Sequence, residues 1–179
     1  MSKTNIKTII SAVILIILLS GCSNKKTTTD IAYTFDDGST ITKQELLVPI
    51  TLYNNICASG DATAFSKVYP PKVLDFFLVS SNQETSVEYA EMLYSLYTQV
   101  YGEEFNMTNT FIDCKLLTPN ELNDFCQFHE ENIDISIMPD YAFIVTSEYN
   151  ISYLDKNGLS TTDSELDYYI AYFYENNMY

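Results

Sequence analysis

The sequence contains no tryptophan and no arginine, one histidine, and only five glycines and five prolines among its 179 residues. Each shortage excludes a class of function. Without arginine there is no planar fork to grip phosphates or guanine edges, and nine lysines stand against 24 acids for a net charge of -15, so nucleic acid is excluded as a partner. Any Ser-His-Asp site would have to use His129. The glycines make no phosphate-cradling loop, and neither Gly-x-Ser-x-Gly nor His-Glu-x-x-His occurs. The one long apolar run, Thr8 to Leu19, falls short of the roughly 20 residues that a membrane helix needs. What is present points to a folded domain. The chain is 46% apolar and 14% aromatic, more than an acidic disordered tail carries.

The N-terminus reads as an export signal. Lys3 and Lys7 precede the apolar run, and Leu19-Ser20-Gly21-Cys22 closes it with small residues, the layout of a cleaved secretory leader over residues 1–21. Those last four residues resemble the lipobox of bacterial lipoproteins. The resemblance implies that Cys22 receives a diacylglyceryl thioether, becomes the first residue of the mature chain and holds it on the extracytoplasmic face of the cell membrane. Removing residues 1–21 takes away two lysines and no acids, which leaves seven lysines, 24 acids and a net charge of -17. A surface of that sign is repelled by anionic headgroups within about 8–10 Å at physiological salt, so the domain stands off the membrane. Residues 22–41 supply the anchor and a tether or arm, with Lys25 and Lys26 nearest the lipid.

From Ile31 the pattern predicts a short hairpin or irregular arm, with Asp36-Asp37-Gly38 as the turn. Thr42-Lys43-Gln44-Glu45 has the spacing of a capping box, and Ile50, Tyr53 and Cys57 continue a helix that Pro49 either kinks or delays. Asp61 caps a short helix that stops at Tyr69-Pro70-Pro71, and Pro71 opens another through Phe77. Ser86 is expected to cap a helix carrying Tyr89, Leu93, Tyr97 and Val100, which Gly102 ends. The period then changes. Phe111 to Leu117 reads as a strand with Ile112, Cys114 and Leu116 on one face, and Thr118-Pro119-Asn120-Glu121 opens a helix. Tyr141 to Leu154 alternates strictly, Asn157-Gly158 predicts a two-residue hairpin turn, and Glu165 to Tyr174 returns with both faces apolar or aromatic, the pattern of a central strand covered on both sides. Glu175-Asn176-Asn177 then turns the chain into a last short strand. Helices precede strands, so the expected fold class is α+β: N-terminal helices on a curved antiparallel sheet, one helix inserted after the first sheet strand, and a single domain over 42–179.

The helix-first order, Ala58-Ser59-Gly60-Asp61 at a helix end, Tyr69-Pro70-Pro71 at a helix start and the terminal aromatic hairpin Tyr172 to Tyr179 resemble small lipoproteins of clostridia-like bacteria, many of them similar to the NTF2-like, cystatin-like α+β superfamily. The resemblance implies a cone in which a helix presses on a bent sheet. Relatives of this kind often close with a Gly-Lys-Trp-Tyr-like strand, where this chain has Asn176-Asn177-Met178-Tyr179. The superfamily holds enzymes, binding modules and structural domains, so the fold does not choose among them.

The candidate chemistry is sparse. His129 sits at the trailing edge of an amphipathic stripe near a helix end, a position that suits a half-buried structural role. Of the cysteines left after Cys22, Cys114 and Cys126 fall on inward faces of consecutive elements, where they can pair as a disulfide or remain buried thiols. Acidic pairs at Asp36-Asp37, Glu103-Glu104 and Glu130-Glu131 lack the alternating ligands of a calcium loop and read as a solvated face. No cofactor or metal is implied. Fifteen tyrosines suit contacts with an envelope protein, a peptide or a glycan, and equally suit half-buried strand positions. The leading expectation is a non-enzymatic binding or interaction module. The alternative is an NTF2-like enzyme in which an acid such as Asp75 or Glu148 and a tyrosine hydroxyl face a conical pocket.

Overall fold

In a computed structural model, which describes residues 30–179, one compact unit spans Ile31–Tyr179. Cys22 and the leader lie outside the described residues. Five helices pack on a curled antiparallel half-barrel sheet. The chain opens with a hairpin, β1 Ile31–Thr34 and β2 Thr40–Thr42, and then enters α1 Lys43–Ser59. A single 3-10 turn leads into α2 Phe65–Val68, α3 Pro71–Ser80 and α4 Ser86–Tyr101. The main sheet follows: β3 Phe105–Leu116, α5 Pro119–Ile133, β4 Tyr141–Leu154, β5 Ser160–Tyr174 and β6 Asn177–Met178, with strand order β3-β4-β5-β6.

Local chemistry sets the helix ends. Capping boxes start α1 at Thr42/Glu45 and α5 at Thr118/Glu121, as their spacing predicts. The cap of α4 is Thr85 rather than Ser86, because Glu88 lies three residues after Thr85 and completes the reciprocal pair. Pro49 does not delay α1, which begins at Lys43 and runs through it. A proline at 49 leaves the Glu45 carbonyl without its amide donor. The next carbonyl, Leu46, accepts a 3.0 Å hydrogen bond from the Tyr169 hydroxyl of β5, which ties the helix to the sheet.

The first sheet strand begins at Phe105, well before the expected Phe111, and carries a bulge. Phe111 pairs with Ser147 and Asp113 with Thr146, so Ile112 is an extra residue. Before the bulge the odd residues Met107 and Phe111 face inward, and after it Cys114 and Leu116 do. Ile112 therefore does not share their face and is 51% exposed. Along β4 the parity is unbroken. Phe143, Val145, Ser147 and Ile151 are buried on the inner face. Met107 and Ile151 meet Ile56, Cys57, Tyr89 and Leu93 of α1 and α4 there, while Phe143 and Val145 meet Ile41, Leu46 and the β1–β2 hairpin. On the outer face α5 covers Ala142, Ile144 and Tyr172 through Leu122 and Phe125. Each such fully buried apolar side chain contributes about 1.5–3 kcal/mol relative to exposure.

The hairpin turns differ from expectation in one case. Asn157-Gly158 is not a two-residue turn: β4 and β5 are joined by the five residues Asp155 to Leu159, and only Gly158 has positive φ, at 74°. The Asp155 carboxylate accepts from the Asn157 and Leu159 amides at 2.8 and 2.9 Å, which reinforces the backbone bonds from Gly158 N–H to the Asp155 carbonyl and from Asp155 N–H to the Leu159 carbonyl that close the longer loop. The β5–β6 turn is the primed one, with Glu175 at φ 50° and Asn176 at φ 64°. Glutamate is a poor residue for left-handed backbone. Glu175→Asn is expected to stabilise the protein by about 0.5–1 kcal/mol, read as a higher midpoint in thermal denaturation; an unchanged or lower midpoint would show that the turn stores no strain.

Candidate functional site

The residues singled out in the sequence do not converge. Asp75 is exposed on α3, and Glu148 is exposed on the outer face of β4, so neither acid faces the interior. His129 is half-buried on α5, with Nδ1 2.9 Å from the Phe125 carbonyl and its ring 4.3 Å from that of Phe125. Burial pulls its pKa below the ordinary value, an effect the Phe125 carbonyl partly offsets, so the imidazole is a neutral packing group. Cys57, Cys114 and Cys126 are free thiols. Cys114 lies on the inner face near the Ala32 carbonyl, while Cys126 rides on α5 across the outer face, so the sheet separates the pair. Among the described residues no three His, Cys, Asp or Glu side chains gather as metal ligands.

The groups that do converge sit where α1 crosses the inner face. Asn54 of α1, buried among apolar neighbours, donates through Nδ2 to Oδ1 of Asn109 on β3 at 2.6 Å. Nδ2 of Asn109 donates to Oγ of Ser147 on β4 at 2.7 Å, and Ser147 is fully buried. Asp167 on β5 pairs with Ser147 across the ladder, close enough to Asn109 for that amide to act on its carboxyl. The hydrogen-bonded chain thus joins a helix to two strands, with Asp167 of a third beside it. Burial raises the Asp167 pKa above the ordinary carboxyl value, and Glu165 adds to this; the Tyr168 amide and Asn109 pull it back down.

Beside this chain lies a cluster of tyrosines around one thiol. Tyr53, Tyr69, Tyr89, Tyr97 and Tyr149 pack in one cluster with the buried Cys57. Burial pushes Cys57 up to about 12, an effect the nearby Tyr53 hydroxyl offsets in part, and pushes Tyr89 up to about 12. The other four hydroxyls are also raised by burial. The Tyr149 hydroxyl is buried without a hydrogen-bond partner; the Tyr97 hydroxyl is close enough to act on its proton but lies outside hydrogen-bonding geometry. Phe65 and Phe77 fill the space between Tyr69 and Tyr89, with stacked or tilted rings 4.9–6.4 Å apart. Such a cluster offers hydroxyl donors and apolar faces. It holds no thiolate at neutral pH, so it lacks an activated nucleophile. The depression formed by Phe105, Tyr153, Leu154 and Ser160, about 340 Å³ in volume, lies at the end of the sheet and is open.

Sequence reading missed Asn54, Asn109, Ser147 and Asp167. A signal for Asp167 was present: it shares parity with Tyr169, Ala171 and Phe173, so an acid was due on an aromatic face. Asn109 had none, because the bulge hides its parity from a count that starts at Cys114. No family model matches the chain, and no curated protein and no solved structure matches it.

Two outcomes follow from this geometry. Asn109→Ala leaves the Asn54 amide and the Ser147 hydroxyl buried and unpaired, and is expected to cost about 2–4 kcal/mol in urea unfolding; a loss within error of zero would mean that the chain is not a structural tie. For Asp167, a raised folded-state pKa means that the folded state holds the proton more tightly than the unfolded chain. Its contribution is therefore present below the unfolded carboxyl value and lost as pH rises through the folded value. The stability difference between Asp167→Asn and wild type is expected to shift toward the variant from pH 3 to pH 7, measured by thermal melts; a shift the other way contradicts the burial of this carboxyl.

Proposed function

We propose that this chain is a lipid-anchored extracytoplasmic protein whose α+β domain is a non-enzymatic binding or interaction module. One observation carries the binding side of this reading. The inner face is filled by Phe65, Phe77, Tyr89, Leu93 and their neighbours, with protonated hydroxyls and an un-ionised thiol where an enzyme would hold a base and a cavity. The layout supports an NTF2-like cone as the fold reading: helices first, α5 between β3 and β4, and α1 laid across the inner face of a curled sheet. The lipobox-like Leu19-Ser20-Gly21-Cys22 supports the anchor. A net charge of -17 on the mature chain favours partners that are neutral or basic, such as an envelope protein, a peptide or a glycan.

A second reading, an enzyme acting on a small molecule, draws on Asp167. It is paired in the ladder with the buried Ser147 beside Asn109, and its raised pKa is the property a general acid needs. Turnover of a small molecule that Asp167→Asn abolishes with the fold intact would establish it over the binding reading.

The anchor is tested directly. Mass spectrometry of the membrane-extracted protein is expected to find residues 22–179 with a diacylglyceryl thioether at Cys22, and Cys22→Ala is expected to move the protein out of the membrane fraction. A bare thiol at residue 22, or an unchanged distribution of the variant, refutes the anchored reading. Affinity capture from intact cells with the lipidated protein then tests the module: a reproducible envelope partner supports it, and bulk membrane alone counts against it.

A further inference from the structure

Strand β5 is fifteen residues long, yet its far edge is paired only at its C-terminal end. Phe173 pairs with Met178 and Tyr174 with Asn177, and Tyr172 exchanges both of its backbone hydrogen bonds with Tyr179 at 2.9 Å. Among the described residues no further element lies along β5 on that side. In an antiparallel strand alternate residues send both backbone groups to the same side. Since Tyr172 points to the far edge, so do Ile170, Tyr168, Leu166 and Ser164. Three of these residues carry apolar or aromatic side chains that are exposed, Leu166 58%, Tyr168 44% and Ile170 37%, so β5 is not covered on both sides as its sequence pattern predicts.

We infer that this edge is a self-association surface: a second copy of the chain adds its β5 antiparallel to it, about a two-fold axis through Tyr168. Three constraints select that register. Backbone pairing demands that even-numbered residues meet even-numbered residues. The two residues of β6 stop a second strand at Tyr172, so an axis at Tyr169 leaves only residues 167–171 of each copy in the seam, against 165–171 for an axis at Tyr168. Axes at Asp167, Leu166 or Glu165 lengthen the overlap but set acids opposite acids, Asp167 on Asp167, Asp167 on Glu165, or Glu165 on Glu165, and like charges directly opposed destabilise a ladder. About Tyr168, Asp167 faces Tyr169 and Glu165 faces Ala171. Leu166 faces Ile170 in both directions, and the outer row becomes one apolar strip of six side chains across the seam. This is the longest overlap in which no acid opposes another, and it is self-complementary in the way a two-fold interface requires.

Net charge opposes the approach of two such copies, so screening favours the pair. The test is oxidative crosslinking of the full-length chain in membranes, with wild type as the baseline for its native thiols. Residues paired on the axis are about 5.5 Å apart at Cα, within the reach of a disulfide. Tyr168→Cys is expected to give about tenfold more covalent dimer than Leu166→Cys, whose copies lie off the axis, and Leu166→Cys combined with Ile170→Cys is expected to restore the yield. Equal yields from Tyr168→Cys and Leu166→Cys, or none above wild type, overturn the inference. Sedimentation of the unsubstituted protein in detergent gives the second readout. A dimer fraction that rises with salt supports the pair, whereas a monomer at every concentration, or a dimer that salt dissociates, overturns it.

Discussion

The hydrogen bond from Asn54 to Asn109, continued to Ser147, is the constraint on which the rest of the structure depends. An interior of tyrosine, phenylalanine and leucine is adhesive but not particular, since apolar side chains of suitable volume tolerate small slides of a helix over a sheet. A buried amide is particular. It must meet its partner, and the penalty for missing it grows as the surroundings become drier. Asn54 thus fixes where α1 sits along β3, and Tyr169, bonded to the Leu46 carbonyl one side of Pro49, fixes how its first turns lean toward β5. With both ends of the helix pinned, Tyr53 and Cys57 are held against the sheet beside the tyrosines of α4 and β4.

That arrangement concentrates the acids outside and neutral hydroxyls inside. The interior tolerates so many tyrosines because each ring has an apolar body, and their hydroxyls keep their protons when water is excluded. Asp167 stands at the boundary. Burial and Glu165 penalise its charge, and the Tyr168 amide and Asn109 offset part of that cost. On the exterior an ion pair at 2.6 Å joins Lys115 to Glu121, and with Thr118 it holds the Glu121 carboxyl down to about 2, which strengthens the start of α5.

Much of the fold was legible in the sequence because its signals were local. The Thr42/Glu45 and Thr118/Glu121 boxes, Pro71 at a helix start and the strict alternation from Tyr141 to Leu154 each describe chemistry within a few residues. The site was less legible because its members meet only through the sheet. Asn54 and Asn109 are polar residues in otherwise apolar patterns, and nothing in either pattern names the other. Asp75 and Glu148 looked suitable as acids, but solvent claims both, one on α3 and one on the outer face of β4. The loop at Asn157-Gly158 misled for a related reason: the dipeptide suits a primed turn, but Asp155, two residues earlier, offered a carboxylate that stabilises a longer loop.

The extra residue at Ile112 has an evolutionary corollary. In a regular strand the loss of one residue turns every later side chain over to the opposite face. Within this bulge a one-residue deletion removes only the unpaired member: Phe111 still meets Ser147, Asp113 still meets Thr146, and Cys114 and Leu116 keep their orientation. The lineage of this chain can therefore shorten here without scrambling its interior. What it would surrender is the local bend and added twist that a bulge gives its strand.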